Sequence, residues 1–584
     1  METKYFGLTD LAVFVFMLLI SAAIGIYFAI KGQNSANQML MGGKSMRVIP
    51  VSVSITATFL SSIGLLGWPA ELYLFGAQYH LVHLLFSMPF AILICAKLFV
   101  PVFFNLGITS CFQYLELRFS RLLRTVACII YCINTIIYMG VVLYGPALAL
   151  SQVTAINMWT TIIATGFVCT FYTAIVQLGG LKAVVWTDVF QTLVIISSLF
   201  YVTIKGIVDN GGLMHVINDN LTSKRLEMFN MSLDPTIRTT FCNVFFGGIF
   251  VWIQFYGINQ SSIQRYNSLK DVKSAERCMW LVLPLKISVY SIVILCGLTI
   301  YSKYSLCDPI STKQVTAADQ LFPLFVMETL SFIPGIVGLF VAGIFSASLS
   351  TISSGINSLT AVILEDIVKI YINAKISDST ATTLLKILAV FFGFMTIAAV
   401  LVADSLGNII QTTNIIFGLI WSPMVALFSL GIFVPRVQSV NATIGLIFGF
   451  AFNLWIGIGS ILNAPYYPRK TVSVESCIDL YTNKTGLWYN STTFGVPNQH
   501  LLRNNENIFY LFRISFLYYN LTGFAVTMIA AILSSYFIGN MQPRLEMDIN
   551  LYSPFLHRHL NPKVGKSESS FESEKSIENM DTKF

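Results

Sequence analysis

SVSITATFLSSIGLLGWPAELYLFG, Ser52 to Gly76, is an apolar run long enough to cross a membrane, interrupted in its middle by Ser61, Ser62, Gly64, Gly67 and Pro69. Such an interruption frees backbone carbonyls at membrane depth, where they are tolerated only if they line a cavity. A second span, near residues 240–258, is broken in the same manner. There Gly247, Gly248 and Gly257 surround Trp252, and the polar run Asn259, Gln260, Ser261, Ser262 and Gln264 follows. Interrupted spans at related positions in two halves point to a carrier site between inverted repeats. Spans two to six and seven to eleven are expected to form that five-plus-five pair, although the halves share no direct sequence similarity.

Composition agrees. Hydrophobic side chains make up 55% of the 584 residues and charged ones only 11%, with a mean hydropathy of +0.72, far from the roughly one-quarter charged content of soluble domains. Runs long enough for a ~30 Å hydrocarbon core, roughly 20 residues each, lie near 8–30, 48–70, 82–105, 122–150, 158–177, 184–208, 240–258, 279–302, 334–362, 384–403, 411–433, 442–461 and 511–539, thirteen in all. The first is read as a retained span, because no basic segment precedes it and no cleavage-like site follows. The expected fold class is an all-α multi-pass membrane protein.

Basic residues set the orientation. Lys31, Lys44 and Arg47 follow the first span, Arg118, Arg121 and Arg124 the third, and Arg265, Lys270, Lys273 and Arg277 the seventh, all on one side. That side is expected to be cytoplasmic, with the N-terminus extracellular and the C-terminus inside. The net charge of +7 resides largely in these loops and is no sign of nucleic-acid binding. Asn220, Asn230, Asn483 and Asn490 are N-x-S/T acceptors in loops that come out extracellular and are candidate glycosylation sites. The acceptors at Asn259, Asn441 and Asn520 lie in or against spans, or inside, and are read as chance. Of ten cysteines, Cys307 and Cys477 alone fall in outside loops, so a bridge between them is open in that oxidising compartment.

Residues 1–540 read as one transmembrane domain and 541–584 as a polar, Ser-, Glu- and Lys-rich cytoplasmic tail expected to be disordered. Its last residues, Thr582, Lys583 and Phe584, fit a C-terminal ligand for a PDZ domain.

Within the segment Pro334 to Leu364 lies ASLSTISS, Ala347 to Ser354. Ala347, Ser350 and Thr351 stand at i, i+3 and i+4 on one helical face, where carbonyl and hydroxyl oxygens converge. Neutral oxygens in a dry cavity suit a small hard cation such as Na⁺ and not a transition metal. Helix-to-helix glue is the alternative reading of the same residues. No phosphate-binding glycine loop and no catalytic set of Asp, His and Cys is present, so neither ATP use nor an enzyme is expected. No organic cofactor is expected.

The strings MGGKSMRVIPVSVSITATFLSS (41–62), GGLKAVVWTDVFQT (179–192), YGINQSSIQRYNS (256–268) and GIFSASLSTISSGINSLTAVILEDI (343–367) resemble the sodium/solute symporters over nearly all of the first 540 residues. The branch most resembled is that of the multivitamin, monocarboxylate and iodide carriers. The resemblance implies a leucine-transporter-like core of two inverted five-helix repeats, with one helix before it and more after it. It also implies that Na⁺ is held by backbone oxygens of Ala57, Leu60 and Ala347 and the hydroxyls of Ser350 and Thr351.

Asp188 is expected inside the sixth span, where an ionisable group is costly and a functional role is the default. The resemblance suggests that it serves sodium passage, with Gln191 one turn on; an N-terminal helix cap is the alternative. The solute site is expected to face both breaks, with Gly64, Tyr144, Trp252, Gln260 and Gln411 as candidates or, equally, packing residues. Arg and Lys are not expected at mid-membrane, so an anionic solute would be neutralised by Na⁺, amide and hydroxyl donors and helix N-termini. Gly64 stands where the iodide carrier has a glutamine. The expected function is Na⁺-driven symport of a small organic anion, with a sugar, inositol or iodide carrier, or a channel or transport-dead sensor, as alternatives.

Overall fold

The computed structural model describes residues 6–31, 36–404, 409–477, 507–538 and 548–560. Among these, eleven helices are long and apolar enough to cross a membrane, and two bent pairs each form one further span. In chain order the spans are α1 (Leu8–Ile30), α2 (Val48–Thr58 with Ile63–Phe75), α3 (Gln78–Leu106), α4 (Arg121–Thr154), α5 (Met158–Leu178), α6 (Gly180–Asp209) and α7 (Phe241–Gly257 with Gln260–Asn267). They continue with α8 (Val272–Tyr304), α9 (Ile336–Ile372), α10 (Asp378–Leu401), α11 (Ile409–Phe433), α12 (Ser439–Asn463) and α13 (Phe516–Phe537). Side-chain caps start several of them: Asn157 accepts from Trp159 N at 2.9 Å for α5, Asp271 from Ser274 N at 2.7 Å for α8, and Thr240 from Asn243 N at 3.2 Å for α7.

The two broken spans are α2 and α7. The first half of α2, called the inner half after the expected orientation, ends at Phe59, whose φ of −107° leaves the helical region, and the chain turns by 61° before the second half. Leu60 N bonds Ala57 O at 3.0 Å and Gly64 N bonds Ser61 O at 3.0 Å, so tighter turns replace the regular ladder there. In α7 the break falls at Ile258, with a 48° bend, and the Asn259 side chain caps the second half by accepting from Ser261 N at 2.9 Å.

Burial ranks the spans. In its most apolar stretch α9 is 89% buried, whereas α1 is 22% and α10 33% buried; α9 is therefore the central post and the others face lipid. Close approach to it and to the breaks needs small residues. A Cβ on Gly145 of α4 would lie within 2.5 Å of Ser62 Cβ, so glycine lets α4 press against the break of α2.

The loops gather on two opposite faces. One carries Met46 bonded to Ser268, the Cys111–Gln260 contact and the chain after Asp548. The other carries Ala77 bonded to Arg225, Lys470 bonded to Leu74, and a disulfide between Cys307 and Cys477. This bridge closes 170 residues, and cross-links of this kind contribute about 2–4 kcal/mol. Of the tail expected to be disordered, 541–547 and 561–584 lie outside the described residues, whereas Ile549–Leu551 and Pro554–Leu560 are helical, with Tyr552 and Ser553 between them buried. Tyr114 and Ile432 bind that backbone, which sequence composition alone does not reveal.

Candidate cation and solute sites at the helix breaks

The Thr351 hydroxyl of α9 is shared between Thr58 O at 2.9 Å and Ala347 O at 3.0 Å. The hydroxyl-rich face of α9 therefore meets the end of the inner half of α2, and Ala57, Leu60, Ala347, Ser350 and Thr351 are all buried there. Ser350 turns toward α6 and donates to Asp188 Oδ1 at 2.7 Å, which leaves its oxygen lone pairs able to accept a cation. Carbonyls and hydroxyls without imidazole or thiolate are the donor set of a hard cation.

Asp188 lies in the third turn of α6, so it caps nothing. Its Oδ2 accepts from Ser54 Oγ at 2.5 Å and from Arg265 Nη2 at 3.1 Å. Arg265 donates further to Ser54 Oγ at 2.8 Å, Ser354 Oγ at 2.5 Å and Ser261 O at 2.9 Å. One ion pair thus ties the inner halves of α2 and α7 to α6 and α9. Counting Arg265 among loop cations is corrected by this placement. The bend at Ile258 carries the helix Gln260–Asn267 back into the protein, and Arg265 with it is fully buried. Gln191 donates to Tyr172 Oη at 2.8 Å on α5.

On the other side of the α2 break lies a cavity of ≈ 70 Å³, lined by Gly64, Trp68, Tyr79, His83, Trp252 and Tyr290 among others. It has room for a few waters and is well below the ~300 Å³ of an open ligand site. Of the five solute candidates, Gly64 and Trp252 line it. Tyr144, Gln260 and Gln411 do not line it. Gln260 instead clamps the α3–α4 loop: its Oε1 accepts from Cys111 N and its Nε2 donates to Thr109 O, both at 2.8 Å. Gln411 accepts from Arg238 Nη1 at 2.8 Å, and Arg238 pairs with both carboxylate oxygens of Glu71 at 2.9–3.1 Å. Two of the five candidates therefore bind other segments and not the cavity. Beside that outer pair, Asp319 caps α11 at Ile409 N; burial, reinforced by the Glu71 charge, pushes its carboxyl up to about 7.

A basic residue does stand at mid-membrane. Lys286 of α8 is fully buried, donates to Phe59 O at 2.7 Å, and sits 4.9 Å from the Tyr290 ring centre and 5.8 Å from that of Trp252. The expectation that no cation occupies this depth is corrected. One lysine is diluted in the hydropathy of a long span, yet its isolation among apolar neighbours was itself the signal.

The model of the "Sodium:solute symporter family" matches residues 39–449. This chain belongs to that family. The symporter is 39% identical over 553 residues to human sodium-coupled monocarboxylate transporter 1, covering 93% of this chain and 89% of that one. It is 37% identical over 552 residues to the sodium-dependent multivitamin transporter of Oryctolagus cuniculus, covering 93% and 84%. Its fold is that of a Na⁺-coupled sialic acid symporter solved in a substrate-bound, outward-open state, with a TM-score of 0.72 at 22% identity over 91% of this chain and 99% of that one.

The acceptor asparagines of the symporter separate on burial. Asn220 is fully buried and its amide donates to Val216 O at 2.8 Å and Leu298 O at 3.0 Å, so it is no glycan acceptor. The helix Leu213–Thr222 lies against α8 and hides it. Asn230 is exposed. Asn483, Asn490 and Thr582–Phe584 lie outside the described residues.

Proposed function

We propose that this symporter couples inward Na⁺ movement to uptake of a small organic anion, a monocarboxylate or a biotin- or pantothenate-like vitamin, by alternating access. One observation carries the reading. Two consecutive carbonyls at the α2 break, Thr58 O and Phe59 O, are held by Thr351 on the cation side and by Lys286 on the solute side. Sodium takes the oxygens of Ala57, Leu60, Ala347, Ser350 and Thr351, and Asp188 with Gln191 lines its way inward. The solute occupies the space beside Gly64 and Trp252, where Lys286 supplies a counter-charge for a carboxylate. The names of the monocarboxylate and multivitamin relatives support the same solute class.

If more than one Na⁺ enters with each monoanion, positive charge moves inward. The membrane potential then adds about 2.3 kcal/mol per charge per 100 mV, and ~1.4 kcal/mol sustains a tenfold gradient. The protein is assigned to the plasma membrane with its N-terminus outside, a glycan on Asn230 and a PDZ partner at Thr582–Phe584.

Uptake of labelled lactate, biotin, glucose and iodide, with Na⁺ or N-methylglucamine outside, tests this. Saturable, Na⁺-dependent uptake of an organic acid with inward current is expected. Uptake of glucose or iodide alone, or a current that neither saturates nor needs solute, overturns it.

A further inference from the structure

The chain after the last span returns to the transmembrane domain. Tyr114 donates its hydroxyl to Leu551 O at 3.1 Å, Ser553 N donates to Ile432 O at 3.2 Å, and the Arg118 guanidinium lies 5.1 Å from the Tyr552 ring centre. Tyr552 and Ser553 are 4% and 0% exposed, as buried as core residues. Asp548 caps the segment by accepting from Asn550 N at 2.9 Å.

What it sits on ties α7, α9 and α11 together. The α3–α4 loop, Gly107 to Ser120, binds the inner half of α7 through Ile108 O to Asn267 Nδ2 and through Thr109 and Cys111 to Gln260, each at 2.8 Å. The same loop binds the end of α9, where Ser110 donates to Asp366, a carboxylate that also accepts from Arg124 Nε at 2.7 Å. Arg118 donates to the Gly431, Val434 and Val437 carbonyls at the end of α11 at 3.0–3.1 Å. On the alternating-access reading, opening toward this face parts the inner half of α7 from α9, the seam that Arg265 closes deeper in by donating to Ser354 Oγ at 2.5 Å. The loop spans that seam a second time, so anything that immobilises the loop opposes the opening.

We propose that residues 548–560 are a strap that holds the α3–α4 loop and slows opening toward the cytoplasmic face; the proposal rests on the alternating-access reading above. One side-chain-to-backbone hydrogen bond, one backbone–backbone hydrogen bond and one cation–π contact are at stake. Their loss shifts an opening equilibrium by roughly 5- to 30-fold.

The test compares chains ending at 560 and at 547, together with the full chain carrying Tyr114→Phe and Tyr552→Ala. Each carries Thr135→Cys, which lines the second, ≈ 30 Å³ cavity on the inner side of the α2 break. Labelling by an impermeant maleimide is followed in inside-out vesicles, against the same chains without that cysteine. The chain ending at 547 and the double variant are expected to label roughly 5- to 30-fold faster than the chain ending at 560, which matches the full chain. Equal rates in the full chain and the double variant, at equal surface amounts, overturn the strap, whether or not the chain ending at 547 folds. Faster labelling in a protein that takes up no organic anion keeps the strap and removes the solute assignment instead.

Discussion

Arg265 Nη2 stands 3.1 Å from Asp188 Oδ2, and neither side chain is more than 1% exposed. The pair joins residues 77 positions apart, and Asp188 accepts directly from Ser350, one of the candidate cation oxygens. Removing one partner of such a pair leaves a buried, unmatched charge and costs about 3–5 kcal/mol, whereas neutralising both costs less. Asp188→Asn and Arg265→Gln are each expected to lower the melting temperature in detergent, and the double variant to recover part of the loss. Additive losses would show that the two charges act independently.

Thr351→Ala removes one neutral oxygen from the cation patch. A net contribution of about 1–1.5 kcal/mol corresponds to roughly a tenfold rise in the Na⁺ concentration for half-maximal uptake, with surface amount little changed. Unaltered sodium dependence would mean that the hydroxyl only joins α9 to α2.

Lys286→Gln keeps a donor for Phe59 O but withdraws the charge. The KM for an anionic solute is expected to rise more than tenfold, from loss of about 1.5–3 kcal/mol of charge-assisted bonding, while the amide analogue of that solute is unaffected. Equal losses for acid and amide would reduce Lys286 to a pin for the break.

Glycan mapping separates the two asparagines of the 213–240 region. Asn230→Gln is expected to abolish a glycosidase-sensitive gel shift in protein whose Asn483 and Asn490 are already Gln. Asn220→Gln is expected to leave the shift and instead destabilise by about 1–3 kcal/mol, because its buried amide holds α8. A shift lost with Asn220 alone would place that residue outside the fold described.

Asp319 makes stability depend on pH. Its carboxyl is pushed up to about 7 from the ordinary 3.8, so between these values the folded chain binds a proton that the unfolded chain releases. The stabilising, protonated form is fully present below about pH 4, and its contribution falls as pH rises through 7. Relative to Asp319→Asn, the wild-type melting temperature should decline from pH 5 to pH 8; parallel curves would refute the assignment.

Much of this was readable from local pattern. Apolar length gives thirteen spans, because a helix must satisfy its backbone within itself in lipid. Serine and glycine clusters mark the two breaks, and the spacing of Ala347, Ser350 and Thr351 puts them on one face. These are properties of contiguous residues. What the sequence left open depends on where the breaks send the chain. The 48° bend of α7 carries Arg265 from an apparent loop into the core and turns Gln260 to the α3–α4 loop. Lys286, Gln411, Asn220 and Tyr552 each have a partner more than 75 positions away along the chain. Helical periodicity fixes which face a residue occupies, but only the packing of distant spans fixes what that face meets; the shared face of Ala347, Ser350 and Thr351 was therefore legible in the sequence, and the Asp188–Arg265 pair beside it was decided by the tertiary structure.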